Sequence, residues 1–236
     1  MSVTDPAATL GDLVLDRPAA AALFERLGLD YCCDGRRSLE DACAQRGLDA
    51  RTVTVLLDTL RDEPGTHDLP PHDVAHCSMA DLCEHIVARH HDPLRAELPR
   101  IDGLLGTVVR VHGKRHPELA DLQRLFATMR GELEIHMRLE EHTLFPACRA
   151  LEQRGDASGF DAGVIALLED DHAITGDALS ALRELCGGYD LEPALCGTHR
   201  RLLQSLHAFE LGLHQHVHEE NNVLFPRALE RLGAAE

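Results

Sequence analysis

The sequence predicts an all-α protein, a small N-terminal helical domain followed by an antiparallel four-helix bundle. Aromatic residues make up only 3% of the 236 residues and Trp is absent, whereas strand-rich chains carry more aromatic and β-branched side chains. From residue 78 onward the apolar positions recur at helical spacing over four long stretches. Short breaks containing Gly or Pro separate these stretches, as the connections of an antiparallel bundle require.

Residues 1–64 read as short helices. Pro18 suits the first turn of a helix that runs to Leu27 and stops at Gly28. Ser38 with Asp41 three residues on resembles a capping box, and Gly47 ends that helix. Asp49 can cap a third, with apolar Val53, Leu56, Leu57 and Leu60. Residues 65–77 are read as a linker, because Pro64, Gly65, Pro70 and Pro71 crowd into eight residues. Residues 78–236 form the bundle. Its first helix starts at Ser78 with Asp81 and reaches about His112, and the second runs from His116-Pro117 to near Gly155. The third spans about Asp161 to Cys186, before Gly187-Gly188, and the fourth opens at Pro193 and ends near Gly233. Pro93, Pro99, Pro146 and Pro226 fall inside these spans, so kinks or breaks are expected there.

The formal net charge of −17 gives no basic face for nucleic acid or an anionic membrane surface. Asp5 and Asp12 interrupt what a signal peptide would need as an apolar stretch, and no apolar run approaches the roughly 20 residues that span a bilayer. The reading is a cytoplasmic protein whose 8 cysteines are mostly reduced. The 16 histidines are an unusual number for the residue that most often ligates transition metals.

The chemistry lies in a repeat. HMRLEEHTLFP and HVHEENNVLFP both fit H-x3-E-x3-L-F-P, placing His136 with Glu140 and His216 with Glu220. A four-residue step puts His and Glu on one helix face, one turn apart. His91 precedes His136 by 45 residues and His172 precedes His216 by 44, so a helix hairpin is present twice. All four histidines share a face with apolar residues: Leu94, Leu98 and Ile101 with His91, Met129 and Leu133 with His136, Ile165 and Leu168 with His172, Phe209 and Leu213 with His216. His90, His214 and His218 are turned roughly 100–200° away and are expected on the flanks or in solvent. Four imidazoles and two carboxylates in a core without a cation would be costly.

If both glutamates bridge two ions, each ion receives two imidazoles and two carboxylate oxygens. An oxo or hydroxo bridge then leaves an open position on each, which suits a pair of non-haem irons better than the closed four-ligand site of structural zinc. A second cluster, His72, His76, Cys77, Cys83 and His85, matches no standard zinc spacing. Cys43, Cys148, Cys186 and Cys196 read as core or interface residues. Cys32-Cys33 lies in a turn between short helices, and adjacent cysteines make strained disulfides, so a thiol pair for redox, sulfur or iron handling is expected.

Together, DYCCDG at Asp30–Gly35, HHD at His90–Asp92, His136 with Glu140, the DH of Asp171-His172, and HVHEENNVLFPRAL make the chain resemble one family. It is similar over nearly its whole length to the iron-sulfur cluster repair di-iron proteins, also called regulators of cell morphogenesis and NO signalling, whose bundle is hemerythrin-like. The resemblance implies His91, His136, Glu140, His172, His216 and Glu220 as ligands of two iron ions, with Cys32 and Cys33 assisting in repair. It implies damaged iron-sulfur proteins as partners and NO or O2 as small ligands, and leaves a homodimer open. Iron donation is one version of the function, and NO reduction or denitrosylation is the enzymatic one. One departure is Asp34, where the family motif usually carries glycine. Asp tolerates left-handed backbone, but a carboxylate beside two thiols opposes thiolate formation.

Two other readings compete, besides a hemerythrin-like O2 or NO sensor without repair activity. An oxygen-carrying hemerythrin would bring a fifth histidine as H-x3-H on the third helix, but Leu168 and Gly176 stand four residues either side of His172. A ferritin-like oxidase wants two E-x-x-H motifs, and only Glu169-His172 fits.

Overall fold

A computed structural model of the chain describes residues 4–60, 74–155 and 157–234, and among these residues every regular element is helical. Thr9 caps α1 (Leu10–Asp16) by accepting from the Asp12 backbone. The capping pattern Thr9-x-x-Asp12 was available in the sequence, but seven residues give too little periodicity to mark a helix. α2 (Ala19–Leu27) ends on left-handed Gly28, and α3 (Leu39–Arg46) starts at the Ser38 cap and ends on left-handed Gly47. Asp49 caps α4 (Ala50–Thr59). The expected linker prolines and His72 lie outside the described residues.

The first bundle helix starts at the Ser78 cap as α5 (Met79–Ile86), passes through a wide π-turn (Val87–His91), and continues as α6 (Asp92–His112). The second is α7 (Glu118–Leu139), a π-turn (Glu140–Leu144) and α8 (Phe145–Arg154). The third, α9 (Ala162–Leu185), is capped by Asp161 and uninterrupted. The fourth is α10 (Gly197–Glu219), a π-turn (Glu220–Leu224) and α11 (Phe225–Gly233). It begins four residues later than expected from Pro193, because Cys196 supplies the cap.

Each π-turn is followed by a proline at the second position of the next helix: Pro93, Pro146 and Pro226. Proline has no N–H to give and its ring crowds the carbonyl four residues back, so a turn closed over five residues relieves both problems. The breaks expected at these three prolines take this form. Pro99 lies inside α6 without a break.

α6 packs on α7 and α10, and α7 packs on α9, while α9 and α10 meet along a lighter seam. Leu98, Ile101, Leu105, Phe126, Met129, Leu182, Leu206 and Phe209 fill the core at one end of this bundle. Leu82, Ile86, Phe145, Cys148, Leu168, Phe225 and Ala228 fill it at the other. The four histidines and two glutamates of the repeat occupy the level between these apolar layers, all of them buried. The first four helices have their own core around Leu10, Phe24, Leu39 and Leu57, which also takes in Tyr31, Cys32 and, from α10, Val217. No described helix is long and apolar enough to cross a membrane.

Candidate metal centre

His91 ends the first π-turn, Glu140 and Glu220 open the other two, and His136 and His216 sit one turn before those glutamates. His172 comes from the middle of α9. Their ligand atoms converge in two groups: His91, His216, Glu140 and Glu220 surround one point, and His136, His172 and the same two glutamates surround another. Glu140 turns Oε2 to His91 Nε2 and Oε1 to His136 Nε2, both at 3.3 Å. Glu220 turns Oε1 to His216 Nε2 at 3.0 Å and Oε2 to His172 Nε2 at 3.2 Å. Each carboxylate thus faces both histidine pairs, as a bridge between two ions must.

The residues fit cations better than they fit one another. Both oxygens of Glu140 and Oε2 of Glu220 are buried and accept no hydrogen bond. An unmet buried polar atom costs on the order of 1–3 kcal/mol. The imidazole nitrogens pair at 3.1 Å (His91 with His216) and 3.0 Å (His136 with His172). Ligand atoms about 2.1 Å from one ion stand about 3.0 Å apart at right angles and about 3.4 Å apart in a tetrahedron. Within each group the spacings of 3.0 to 3.3 Å fall in the range that ligand atoms of one ion adopt, and mixed imidazole and carboxylate ligands suit ions that keep open positions. Protonation tells the same story. Burial acts to lower His91 and His136, yet the Glu140 carboxylate overrides it and holds both above the ordinary imidazole range, His136 at about 9. Burial would likewise raise Glu220, but His216 and His172 pull it well below the carboxylate range. Burial lowers His216, so the positive charge that Glu220 draws into the core is not supplied evenly by protons, and a metal would supply it directly.

The outer nitrogens of three of the rings are also held. His91 Nδ1 meets Glu141 at 2.6 Å, and Arg95 anchors that carboxylate. His172 Nδ1 meets Asn221 Oδ1 at 2.8 Å, and His136 Nδ1 lies 3.4 Å from Asp171 Oδ2. Such partners fix ring orientation in metal sites. The Phe of each L-F-P stacks on the histidine of its own hairpin's first helix, Phe145 on His91 and Phe225 on His172, both with centroids 5.7 Å apart.

Cys32 and Cys33 approach this centre without joining either group. Asn221, whose Oδ1 meets His172, donates from Nδ2 to the Cys32 carbonyl at 3.3 Å. Asn222 donates to the carbonyls of Tyr31 and Cys32. Its side chain fits because Gly11 and Gly35 have no Cβ; one on Gly35 would collide with Asn222 Oδ1 and the Tyr31 carbonyl. Cys33 is exposed, and its Sγ lies 3.6 Å from the His172 carbonyl oxygen. Gly176, one turn beyond His172, leaves Cys33 Sγ 3.7 Å from where a Cβ would stand. The hydrogen bond with Cys33, burial and Asp30 push the Cys32 thiol well above its ordinary value. The nearby carboxylate is Asp30, whose Oδ1 lies 3.2 Å from Cys32 Sγ. Asp34 instead pairs with Arg37 at 2.7 Å, and neither Asp34 nor Gly35 has positive φ. A cleft of about 290 Å³ between the N-terminal helices and the seam of α9 and α10 has both thiols in its wall.

Of the three histidines expected on the flanks or in solvent, His90 and His214 are half-buried on the flanks and only His218 departs. His218 is buried, with Nδ1 3.3 Å from the Tyr31 carbonyl oxygen, because the N-terminal helices cover that flank of α10. His214 meets Glu25 from the same helices, and His90 stacks on His216. The sequence pairs Asn221 and Asn222 directly after Glu220, a signal that was visible but unassigned. Among the described residues His76, Cys77 and Cys83 do not converge as ligands; His85 joins His90 and Glu219 instead. Cys43, Cys148 and Cys186 are buried, Cys196 is half-buried, and all eight cysteines are free.

Comparison with known proteins agrees with this architecture. The Hemerythrin HHE cation binding domain matches residues 84–228, and a domain of unknown function (DUF542) matches residues 6–61. The iron-sulfur cluster repair protein ScdA of Staphylococcus haemolyticus is 34% identical over 92% of this chain and 95% of its own length. The iron-sulfur cluster repair proteins YtfE of Citrobacter koseri and Escherichia coli are each 31% identical over 93% of this chain and 96% of theirs. Matched over both its N-terminal helices and its cation-binding bundle, the chain belongs to the ScdA and YtfE family of iron-sulfur cluster repair proteins.

Proposed function

We propose that His91, His136, Glu140, His172, His216 and Glu220 hold two iron ions, and that the chain uses them in the cytoplasm to repair iron-sulfur clusters damaged by nitrosative or oxidative stress. The observation that carries this reading is the shared pair of carboxylates, each presenting one oxygen to each histidine pair. Bound there, iron supplies an exchangeable metal and open positions for NO or O2. The protein's own side chains do the rest. Glu141, Asn221 and Asp171 hold the imidazole rings in place, and Phe145 and Phe225 shield His91 and His172 from water. Asn221 ties the ring of His172 to the backbone of Cys32. Cys33 offers a solvent-facing thiol on the same side, suited to meet a damaged partner protein or NO. The absence of a histidine four residues either side of His172 speaks against the oxygen-carrier reading.

Anaerobically purified protein should carry about two irons per chain, as the shared-carboxylate arrangement requires. A Glu140→Ala, Glu220→Ala double variant should lose the coupled pair in Mössbauer spectra, and a retained coupled pair would sink the assignment. A Cys32→Ser, Cys33→Ser variant should keep its iron but fail to restore a nitrosylated iron-sulfur enzyme. Loss of iron from that variant would place the thiols at the metal, and full repair would reduce them to packing.

A further inference from the structure

Two other groups of ligating side chains lie outside the central six among the described residues: Asp30 with Cys32 and Cys33 in the thiol loop, and a set of two histidines and a glutamate on the bundle. His85 is in the last turn of α5, His90 lies in the π-turn 87–91, and Glu219 is the last residue of α10. Their ligand atoms all lie within 4.8 Å of one another. His85 Nε2 and His90 Nε2 converge on the same atom, Glu219 Oε2, at 3.2 and 3.0 Å. Side chains five residues apart on an α-helix point about 140° away from each other. The five-residue closure of the π-turn brings this pair round to one face. Their side chains are 11%, 10% and 15% exposed, so the group is shielded yet within reach of water.

Two imidazoles and one carboxylate with the remaining positions open are a ligand set for ferrous and similar divalent ions. Each flank of the group is joined to the central site. His90 precedes His91 and Glu219 precedes Glu220 in the chain, and the His90 ring stacks on His216 at 5.2 Å and 9°. A cavity of about 150 Å³ has both His90 and His216 in its wall. We infer that His85, His90 and Glu219 form a third cation site, which takes one divalent first-row metal ion and stages it outside the His91 and His216 position. Three protein ligands at a partly wet edge hold an ion more loosely than the buried groups do, so this site fills last and empties first. It rests on the two-iron reading only for the number of ions already present.

The test is equilibrium dialysis of the full-length, iron-loaded chain against Co2+ under anaerobic conditions, counting cobalt and iron together. The expected result is about one cobalt beyond the retained iron, with visible d–d absorption. Glu219→Gln and His85→Gln should weaken that uptake at least about tenfold while the iron stays. No cobalt beyond exchange with iron, or undiminished uptake by both variants, overturns the site and leaves Glu219 as the acceptor of two imidazole N–H donors. If the variants lose their helical circular dichroism, cobalt protection of His85 and His90 from diethyl pyrocarbonate in the unaltered chain decides; unprotected rings overturn the proposal. A chain that carries no iron fails the earlier reading alone, and the cobalt component removed by Glu219→Gln then decides this one.

Discussion

In the first hairpin of the bundle the residue after the shared glutamate is Glu141, and in the second it is Asn221. Both hold the outer nitrogen of their own hairpin's first histidine, His91 and His172. The carboxylate faces outward to Arg95, whereas the amide uses its second group to grip the Cys32 carbonyl. The next positions diverge further. His142 is exposed, while Asn222 is enclosed by Gly11, Gly35 and the Tyr31 and Cys32 carbonyls. The same contrast separates exposed Arg138 from buried His218. A duplicated hairpin has thus kept its inner face twice and specialised one outer face for holding a thiol-bearing loop.

The sharpest way to break this comparison is at the shared glutamates. Glu140→Ala or Glu220→Ala alone should cost both ions, from about two irons to fewer than one, because each carboxylate serves both positions. His91→Ala or His172→Ala should empty mainly its own position. Iron counting separates these cases, and loss of a single ion from either glutamate variant would mean that the carboxylates do not bridge.

A smaller effect is expected one shell out. Asn221→Ala and Glu141→Ala should each weaken iron retention by about 10–100-fold, read as the rate of capture by a chelator. Only the first should also speed alkylation of Cys32, since only Asn221 touches the thiol loop. Equal thiol exposure in both variants would end the claimed specialisation.

The thiols themselves give the next difference. At neutral pH iodoacetamide should label Cys33 at least about tenfold faster than Cys32, because Cys32 is buried and its raised pKa keeps it as the unreactive thiol. Raising the pH should narrow the gap as Cys32 ionises; a preference for Cys32 at pH 7 would contradict the geometry. The smallest effects are on stability. Gly35→Ala should destabilise by about 1–3 kcal/mol through the collision with Asn222. Gly176→Ala, whose new Cβ would only touch Cys33 Sγ, should stabilise α9 by about 0.5–1 kcal/mol. Thermal melts that rank these two the other way would misplace the docking.

Much of the bundle was legible because ligands and apolar residues obey one period. His136 to Glu140 and His216 to Glu220 are single helical turns, and the residues preceding them are inward at the same phase. Caps such as Ser78 and Asp161 marked helix starts for the same local reason. What escaped depends on surfaces that a helical wheel cannot represent. His218 points away from the bundle axis, which suits a flank or solvent, but the loop that buries it comes from 187 residues earlier. Asn221 and Asn222 look like polar surface until the glycines they fit against are brought next to them. Cys33 lies 139 residues before His172, and no spacing rule connects the two.

The π-turns change how the helices must be read. Each accommodates one residue more than an α-turn, so the inward face slips by about 100° at that point. Up to Glu140 the inward series is Leu133, His136, Glu140; after it the buried residues are Leu144, Phe145, Cys148 and Leu151. The fourth helix repeats this, from Leu213, His216 and Glu220 to Leu224, Phe225 and Ala228. Three of the bundle's four helices are therefore written in two frames, and in the second and fourth one frame presents ligands and the other closes over them. The slip between frames is what puts an aromatic ring against a histidine four to five dozen residues away in the chain.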